Sequence, residues 1–463
     1  MVDLIWFRKD LRVEDNPALT AACSGDAPPV ALFISTPDQW QEHNMSPIQV
    51  DLMERAVNSL AQQLAALGIA LHHLALSRFD EIPTALSQFC QQHGISRIHA
   101  GEEPEFNENK RDREVVAAGL ELKLHPGHCI LPPGTVLKAD GTPYRVFTPF
   151  RRAWMARLRG QNLAPGQPTT AWPALAAPAP IEFDAHKLCS AHWPVAPGEA
   201  HRRLEHFVHQ RMSDYHLNRD RPDLKATSVL SPYLALGMIS PTSCLHAALS
   251  HGPEALQEQP GGAFAWVSEL AWRDFYRHLL IGWPRLSKGM NFNPLANKVQ
   301  WEKNTAAFDT WCQGQTGFPL VDAAMRQLKQ TGWMHNRLRM VTASFLTKNL
   351  LIDWRLGERW FSQHLVDGDL AANNGGWQWS ASTGCDAQPY FRIFNPVSQS
   401  KKFDPDGAFI RRYLPELNDL SGKDIHLPPA SVRPPGYPAP MVDLADSRRR
   451  ALERFAVMKR EVF

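Results

Sequence analysis

The stretch that most restricts the fold is the first 130 residues, where short apolar runs alternate with amphipathic segments. Leu4-Ile5-Trp6-Phe7, Val30 to Ile34, Leu71 to Leu74, Ile98 to Ala100 and Leu120 to Leu124 read as strands. Between them, Pro17 to Ala22, Pro47 to Leu67, Ile82 to His93 and Asn107 to Ala118 read as helices. Ser46-Pro47 is a good helix start, with serine as N-cap and proline at the first helical position. Strand and helix in repetition imply a parallel sheet with right-handed crossovers. Neither GxGxxG nor GxxxxGKS/T follows the first strand, so the sheet resembles a Rossmann domain without its phosphate fingerprint.

Beyond this the periodicity changes. Residues 161–200 hold seven prolines and little periodicity, which reads as a linker draped over the surface. From about residue 201 strands vanish. Leu204 to Met212, Phe264 to Leu280, Leu320 to Lys329 and Trp333 to Leu351 show helical spacing. The tail after Asn395 is proline-rich and closes on an Arg-rich, helix-like segment around Arg448 to Arg450. The expected architecture is α/β. It has an N-terminal Rossmann-like, doubly wound parallel-sheet domain (residues 1–130), a long linker (131–200) and a C-terminal all-helical domain (201–463).

Of 463 residues, 44% are hydrophobic and 21% charged, an ordinary soluble composition with no apolar run approaching a membrane span. No secretory signal is expected at the N-terminus. Seven scattered cysteines without CxxC spacing point to reduced thiols in a cytoplasmic protein and against a metal site. Net charge is +2 but unevenly divided: residues 1–150 carry 12 Lys+Arg against 19 Asp+Glu, leaving 37 against 28 for the rest. That places a polyanionic partner on the second part, or reflects nothing more than solvated faces. Most of the 15 tryptophans also lie beyond residue 150.

Four stretches carry chemistry. Asp367 to Trp379 reads DGDLAANNGGWQW, with carboxylates, amides, a glycine pair and two tryptophans within thirteen residues. It reads either as a turn-rich loop between helices or as a wall of a flavin or nucleotide pocket. Thr227 to Leu234 (TSVLSPYL) offers hydroxyls where a helix would start, as ordinary capping or as a diphosphate site. Trp266 to Arg277 (WVSELAWRDFYR) puts Glu269, Trp272 and Arg273 on one helical face. This is either a surface ion pair over a core tryptophan or a patch for a stacked base. In Gly332 to Met340 (GWMHNRLRM), Trp333, Asn336, Arg337 and Met340 recur at helical spacing, more polar than a core stripe tolerates. His335 reads as an ordinary helix histidine.

Together these stretches, with LIWFRKDLRVEDNPAL near the N-terminus and PYFRIFNP at 389–396, resemble the photolyase/cryptochrome family. The likeness runs from residue 2 to about residue 415. It is strongest to the bacterial members that split cyclobutane pyrimidine dimers and carry a folate antenna.

The resemblance implies FAD in the helical domain, held by Tyr215, Thr227, Ser228, Val229, Leu230, Ser231, Trp266, Glu269, Arg273, Trp333, Asp367, Gly368, Asp369 and Asn373. Asn373 matches the position beside flavin N5, where an amide suits the fully reduced anion FADH⁻. The implied reaction is light-driven: the excited flavin lends an electron to a flipped-out dimer in UV-damaged DNA, the ring opens and the electron returns. Trp272 and Trp379 would clamp the dimer, Glu269 and Asn336 would hydrogen-bond its carbonyls, and Met340 would pack beside it. Arg219, Arg337, Arg392 and Lys402, with Trp272, Arg273, Asn336 and Trp379, are the implied DNA contacts. Trp301, Trp354 and Trp377 match an electron-hopping chain. His43, Asn107, Glu108 and Lys288 match positions around a methenyltetrahydrofolate antenna, although a capped helix start explains the adjoining Ser46-Pro47 without any ligand. Val229 departs from the pattern, since many relatives have a basic residue there.

The competing reading is a blue-light photoreceptor of the cryptochrome type, which Asn373, Glu269, Met340 and the short tail oppose. A (6-4) photolyase would use a histidine pair at the lesion, and WMHNRLRM is closer to the cyclobutane type. A purely structural nucleic-acid-binding protein leaves the Trp and Asn arrangement unexplained. A monomer without membrane attachment is expected from the family.

Overall fold

The computed structural model describes residues 2–161, 164–166 and 172–458. Residues 162–163 and 167–171 of the expected linker therefore lie outside the described residues. The chain divides into two compact units. The first comprises Met1–His216, Ser228–Lys288 and Val366–Ala371; the second comprises Leu217–Thr227, Gly289–Leu365 and Ala372–Phe463.

In the first unit, β1 (Val2–Phe7), β2 (Val30–Ser35), β3 (Leu71–Ala75), β4 (Ile95–Gly101) and β5 (Leu122–His125) form one parallel sheet in the order β3-β2-β1-β4-β5. All five expected strands are present. Their apolar runs reflect burial: Leu4, Trp6, Leu32, Ile34 and Ile98 pack with Leu86 and Phe89 in one cluster. Helices α1 (Pro17–Ala22), α2 (Pro37–Glu42), α3 (Pro47–Ala66), α4 (Ile82–His93) and α5 (Phe106–Ala117) connect the strands. The Ser46 hydroxyl accepts from the Gln49 N–H at 3.2 Å, capping α3 as its sequence predicts.

The unit continues through α6 (Phe147–Leu158), α7 (Glu199–Gln210), the first half of α8 (Tyr215–Asn218), α9 (Ser231–Ala235), α10 (Pro241–His251) and α11 (Gly262–Gly282). Helix α6 falls inside the span expected to be linker. The division also departs from the boundary expected near residue 201, because α9 to α11 group with the sheet. Hydrogen bonds from early residues explain the grouping. The Arg12 guanidinium donates to the Gly237 carbonyl at 3.0 Å. The buried Asp274 carboxylate on α11 accepts from the N–H groups of Ile130 (3.0 Å) and Leu131 (3.1 Å) and from Trp154 Nε1 (2.9 Å).

The described part of the proline-rich segment lies along α3. Trp172 and Leu175 donate backbone N–H groups to Leu67 and Ala65 at 3.0 and 2.9 Å. Asn58 makes a reciprocal pair with the Ile181 backbone, both bonds at 2.8 Å. Phe183 stacks on Phe33 at 5.5 Å. These contacts hold a segment with no regular structure of its own.

The second unit contains no strand among its described residues. It is built from α12 (Thr305–Gln313), α13 (Pro319–Thr331), α14 (Asn336–Ser344), a π-turn (Phe345–Asn349), α15 (Trp354–Ser362), most of α16 (Leu370–Ala381), α17 (Pro396–Phe403), α18 (Ala408–Tyr413) and α19 (Leu444–Phe455). Trp311, Leu338, Phe345, Trp354, Trp377 and Leu414 are among the buried residues of its core.

Two expectations are corrected here. Trp333 does not begin a helix: α14 starts at Asn336 because His335 is its N-cap, with Nδ1 accepting from the Arg337 N–H at 3.2 Å. The turn-rich reading of Asp367 to Trp379 fails from Leu370 onward, where the chain is helical through both Asn and both Gly residues.

Candidate functional site

In the first unit, α11 carries Trp266, Glu269, Trp272 and Arg273, whose spacing places them within two turns. Trp266 is buried against the Phe207 ring at 5.1 Å, and Tyr215 meets the same ring edge-on at 5.6 Å. Two residues expected at the flavin thus share one aromatic neighbour. Glu269 is half-buried. Trp272 lies flat on Phe147 of α6, with centroids 3.6 Å apart and planes within 9°. One indole face is taken, and a base can stack only on the other. Phe147 was not anticipated, since its role depends on a partner 125 positions away.

Arg273, expected at the flavin and at the DNA, is held by backbone carbonyls. Its guanidinium donates to the carbonyls of His128 and Leu234. Burial lowers its pKa to about 10, with Arg277 adding to the effect. Such a group ties backbone segments together.

The Thr227 to Ser231 stretch also differs in detail. The helix it was expected to start is α9, five residues long, with Leu230 at its cap and no side-chain cap bond. A dipole from so short a helix adds little, so anion binding there rests on local N–H and hydroxyl groups. Val229 adopts φ +53°, a left-handed conformation that is unfavourable for a β-branched residue. In the 366–371 segment, the Gly368 carbonyl accepts from Gln49 Nε2 at 2.7 Å. Asp369 pairs with Arg277, another residue the motifs did not single out.

In the second unit, Asn373 is held by its amide nitrogen. Nδ2 donates to the Glu358 carbonyl at 3.0 Å and to Ser362 Oγ at 2.9 Å. A backbone carbonyl can only accept, so the amide orientation is determined and Oδ1 remains as an acceptor. Beside it, Asn374 Nδ2 donates to Glu358 Oε1 at 2.8 Å, and Asn374 Oδ1 accepts from Gln378 Nε2 at 2.9 Å. Burial raises the Glu358 carboxyl to about 7, against the opposing effect of the Asn374 hydrogen bond. Nothing local in WRLGERW marks Glu358, because its partners are fifteen or more positions away.

Asn336 is exposed, while Arg337 and Met340 are half-buried on the same helix. Trp333 precedes the helix, its N–H donating to Thr331 Oγ1 at 3.1 Å. Burial lowers the His335 pKa to about 4, consistent with a neutral capping histidine. Arg337 pairs with Asp220 at 2.8 Å and stands 4.6 Å over the Phe403 ring, which Lys402 also approaches at 5.1 Å. Two expected phosphate contacts therefore gather at one ring, and Asp220, the partner of Arg337, follows Arg219 in sequence. Arg392 is exposed, and Trp379 is half-buried on α16.

Of the expected hopping tryptophans, Trp354 and Trp377 are buried and Trp301 is partly exposed. Trp354 Nε1 donates to Asn291 Oδ1 at 2.9 Å. Trp377 meets Phe361 and Trp311 edge-on, and Trp301 meets Phe455 edge-on at 5.6 Å. Gly357 makes room for Trp377: a Cβ there would lie 2.1 Å from the indole Cη2.

The antenna candidates converge within the first unit. His43 Nε2 and Asn107 Nδ2 are 2.8 Å apart, and His43 Nδ1 lies 3.7 Å from the buried Glu108 carboxylate. Lys288 Nζ sits 3.8 Å over Phe106, the neighbour of Asn107. Burial lowers the His43 pKa, against the pull of Glu108. A carboxylate, an amide and a neutral imidazole suit the donor-rich edge of a pterin-like ring.

Comparison with known proteins identifies the family. Residues 3–174 match the sequence profile of DNA photolyase, and residues 266–457 match that of the FAD binding domain of DNA photolyase. The chain is 45% identical to the deoxyribodipyrimidine photo-lyase of Vibrio cholerae over 98% of this chain and 99% of that one. It is 44% identical to the Escherichia coli protein of the same name over 99% of each. A bacterial class III photolyase from Agrobacterium tumefaciens superposes with a TM-score of 0.82 at 33% identity, over 99% of this chain and 98% of that one. A Synechocystis cryptochrome does so at 0.81 and 28%, over 98% of each. The chain belongs to the photolyase/cryptochrome family.

Proposed function

We propose that this protein repairs UV-damaged DNA in light, using FAD to split cyclobutane pyrimidine dimers. The observation that carries the reading is Asn373. Its NH₂ is spent on Glu358 and Ser362, which leaves a fixed carbonyl oxygen as an acceptor for a ring N–H. Reduced flavin has such a donor at N5; oxidised flavin does not. Bound and fully reduced, FAD supplies the photoexcited electron.

The chain's own residues bind, orient and shield, in the roles the resemblance gives them. Asn373 holds the reduced ring, Glu269 and Asn336 meet the lesion carbonyls, and Trp272 offers its open face to a base. Arg219, Arg337, Arg392 and Lys402 meet phosphates. Trp301, Trp354 and Trp377 carry electrons to an oxidised cofactor. Residues 1–130 serve as the antenna-binding part, 131–200 as linker and 201–463 as the flavin- and DNA-binding part. The convergence of His43, Asn107, Glu108 and Lys288 supports methenyltetrahydrofolate as the antenna.

Scattered cysteines without CxxC spacing support a cytoplasmic protein, and the family resemblance supports a monomer. No helix among the described residues is long and apolar enough to cross a membrane.

The test is repair of a duplex oligonucleotide holding one cyclobutane thymine dimer, under blue light and in the dark. Light-only restoration of intact thymines is expected. Tight flavin binding without repair, even after chemical reduction, would overturn the proposal in favour of a photoreceptor.

A further inference from the structure

A cavity of about 250 Å³ lies in the first unit, at the C-terminal end of α11. Its outer wall is the turn from Leu137 to Pro143, closed by an antiparallel bridge and a Lys138 N–H to Thr142 carbonyl bond of 3.0 Å. Its inner wall is Val136 and Phe150, both almost fully buried, and Tyr144 stands edge-on to Phe150 at 6.2 Å. Two glycines keep the cavity open. A Cβ at Gly134 would come within 3.1 Å of Ile281 Cγ2, and one at Gly282 within 3.2 Å of Pro143 Cγ.

The one imidazole in this lining is unusual. His278 is 6% exposed, and its ring meets Phe150 at 5.1 Å. Nδ1 accepts the Gly134 N–H at 3.0 Å, so Nε2 carries the ring proton. Nε2 is buried and has no hydrogen-bond partner among the described residues. Burial lowers the His278 pKa, which favours the neutral ring. A buried N–H donor without a partner is costly, and a ligand acceptor would satisfy it.

We propose that this cavity binds a neutral, planar aromatic molecule of one or two rings through a single acceptor placed on His278 Nε2–H. The aromatic walls select a flat apolar body. The absence of any charged side chain from the lining selects neutrality. The volume falls below the roughly 300–1,000 Å³ of sites for drug-sized ligands, which limits ring number. The site is independent of the repair reading.

The test uses flavin-loaded, full-length protein and two planar probes with the same fused six-membered-ring frame, quinolin-2-one with a carbonyl acceptor and naphthalene without one. Quinolin-2-one should bind saturably, at least about tenfold tighter than naphthalene, the difference expected for satisfying one buried donor. It should also shift the ¹⁵N resonance of His278 Nε2. His278→Phe should abolish the preference. Because that variant also removes the acceptor of the Gly134 N–H, Gly282→Val provides a second arm, filling the cavity with His278 intact and eliminating both probes. Equal affinity for the two probes, binding that survives Gly282→Val, or a crystal soak showing ordered water alone would overturn the proposal.

Discussion

The indole of Trp272 and the ring of Phe147 lie parallel, within 9°, with centroids 3.6 Å apart. A stacked pair of this kind adds about 0.5–1.5 kcal/mol beyond the area it buries and holds both planes in register. If Trp272 receives a flipped base, Phe147 sets its pose. Phe147→Leu should therefore weaken binding of dimer-containing DNA by about three- to tenfold, while flavin content stays unchanged. Titration of lesion-bearing against undamaged duplex measures this. Equal lesion affinity in the variant would remove Phe147 from the lesion site.

Asn373→Asp replaces the NH₂ that meets the Glu358 carbonyl with a second acceptor. Two oxygens then face each other, and loss of the donor costs roughly 1–3 kcal/mol. The added charge also opposes an anionic flavin. Repair under continuous light should fall by at least about tenfold, the effect of roughly 1.4 kcal/mol on a barrier. Single-turnover repair with pre-reduced enzyme measures it, and wild-type rates would sink the assignment.

Gly357→Ala tests the tryptophan chain without touching any tryptophan. The new methyl meets Trp377 Cη2 at 2.1 Å and Leu346 Cδ2 at 2.7 Å, so the indole must move. Overpacking of this kind costs about 1–3 kcal/mol. Photoreduction of oxidised flavin should slow, whereas repair by chemically reduced enzyme should persist. Transient absorption separates the two; equal photoreduction rates would place the electron path elsewhere.

Lys348 gives a pH-dependent prediction. It is fully buried in the π-turn, with Nζ donating to Ser382 Oγ at 2.9 Å and lying 3.4 Å over Phe455. Burial depresses its pKa well below 10.5. The unfolded chain therefore binds a proton that the folded chain does not, between the depressed value and 10.5, and stability rises with pH across that window. Lys348→Met removes the penalty. Its melting temperature should exceed the wild-type value by more at pH 7 than at pH 10. A pH-independent difference would show that the lysine stays charged when folded.

The strands were legible because each is a short apolar run with few alternatives, Leu4 to Phe7 most plainly. The helical face of Glu269, Trp272 and Arg273 was legible from spacing alone. Asp367 to Trp379 was not, since Asn and Gly favour turns when read locally. Here Asn373 and Asn374 give their amides to Glu358 on a neighbouring helix, not to their own backbone, and tertiary bonding overrides propensity. Trp333 was misplaced for the opposite reason, because a local histidine cap outranked the apolar spacing. Glu358 and Phe147 lie in no motif, and Arg277 only ends one; their significance lies in partners brought together by folding.

The Asp274 carboxylate also bears on how the protein is made. Ile130 and Leu131 donate to a residue 144 and 143 positions later, and Trp154 to one 120 positions later. At roughly 5–20 residues per second, a ribosome needs on the order of ten seconds to deliver that acceptor. During this interval the nascent sheet lacks its clasp, and these three donors remain with water. This clasp can close only after most of α11 has left the exit tunnel, and the unit's last segment, 366–371, follows later still, so its completion during synthesis is paced by translation.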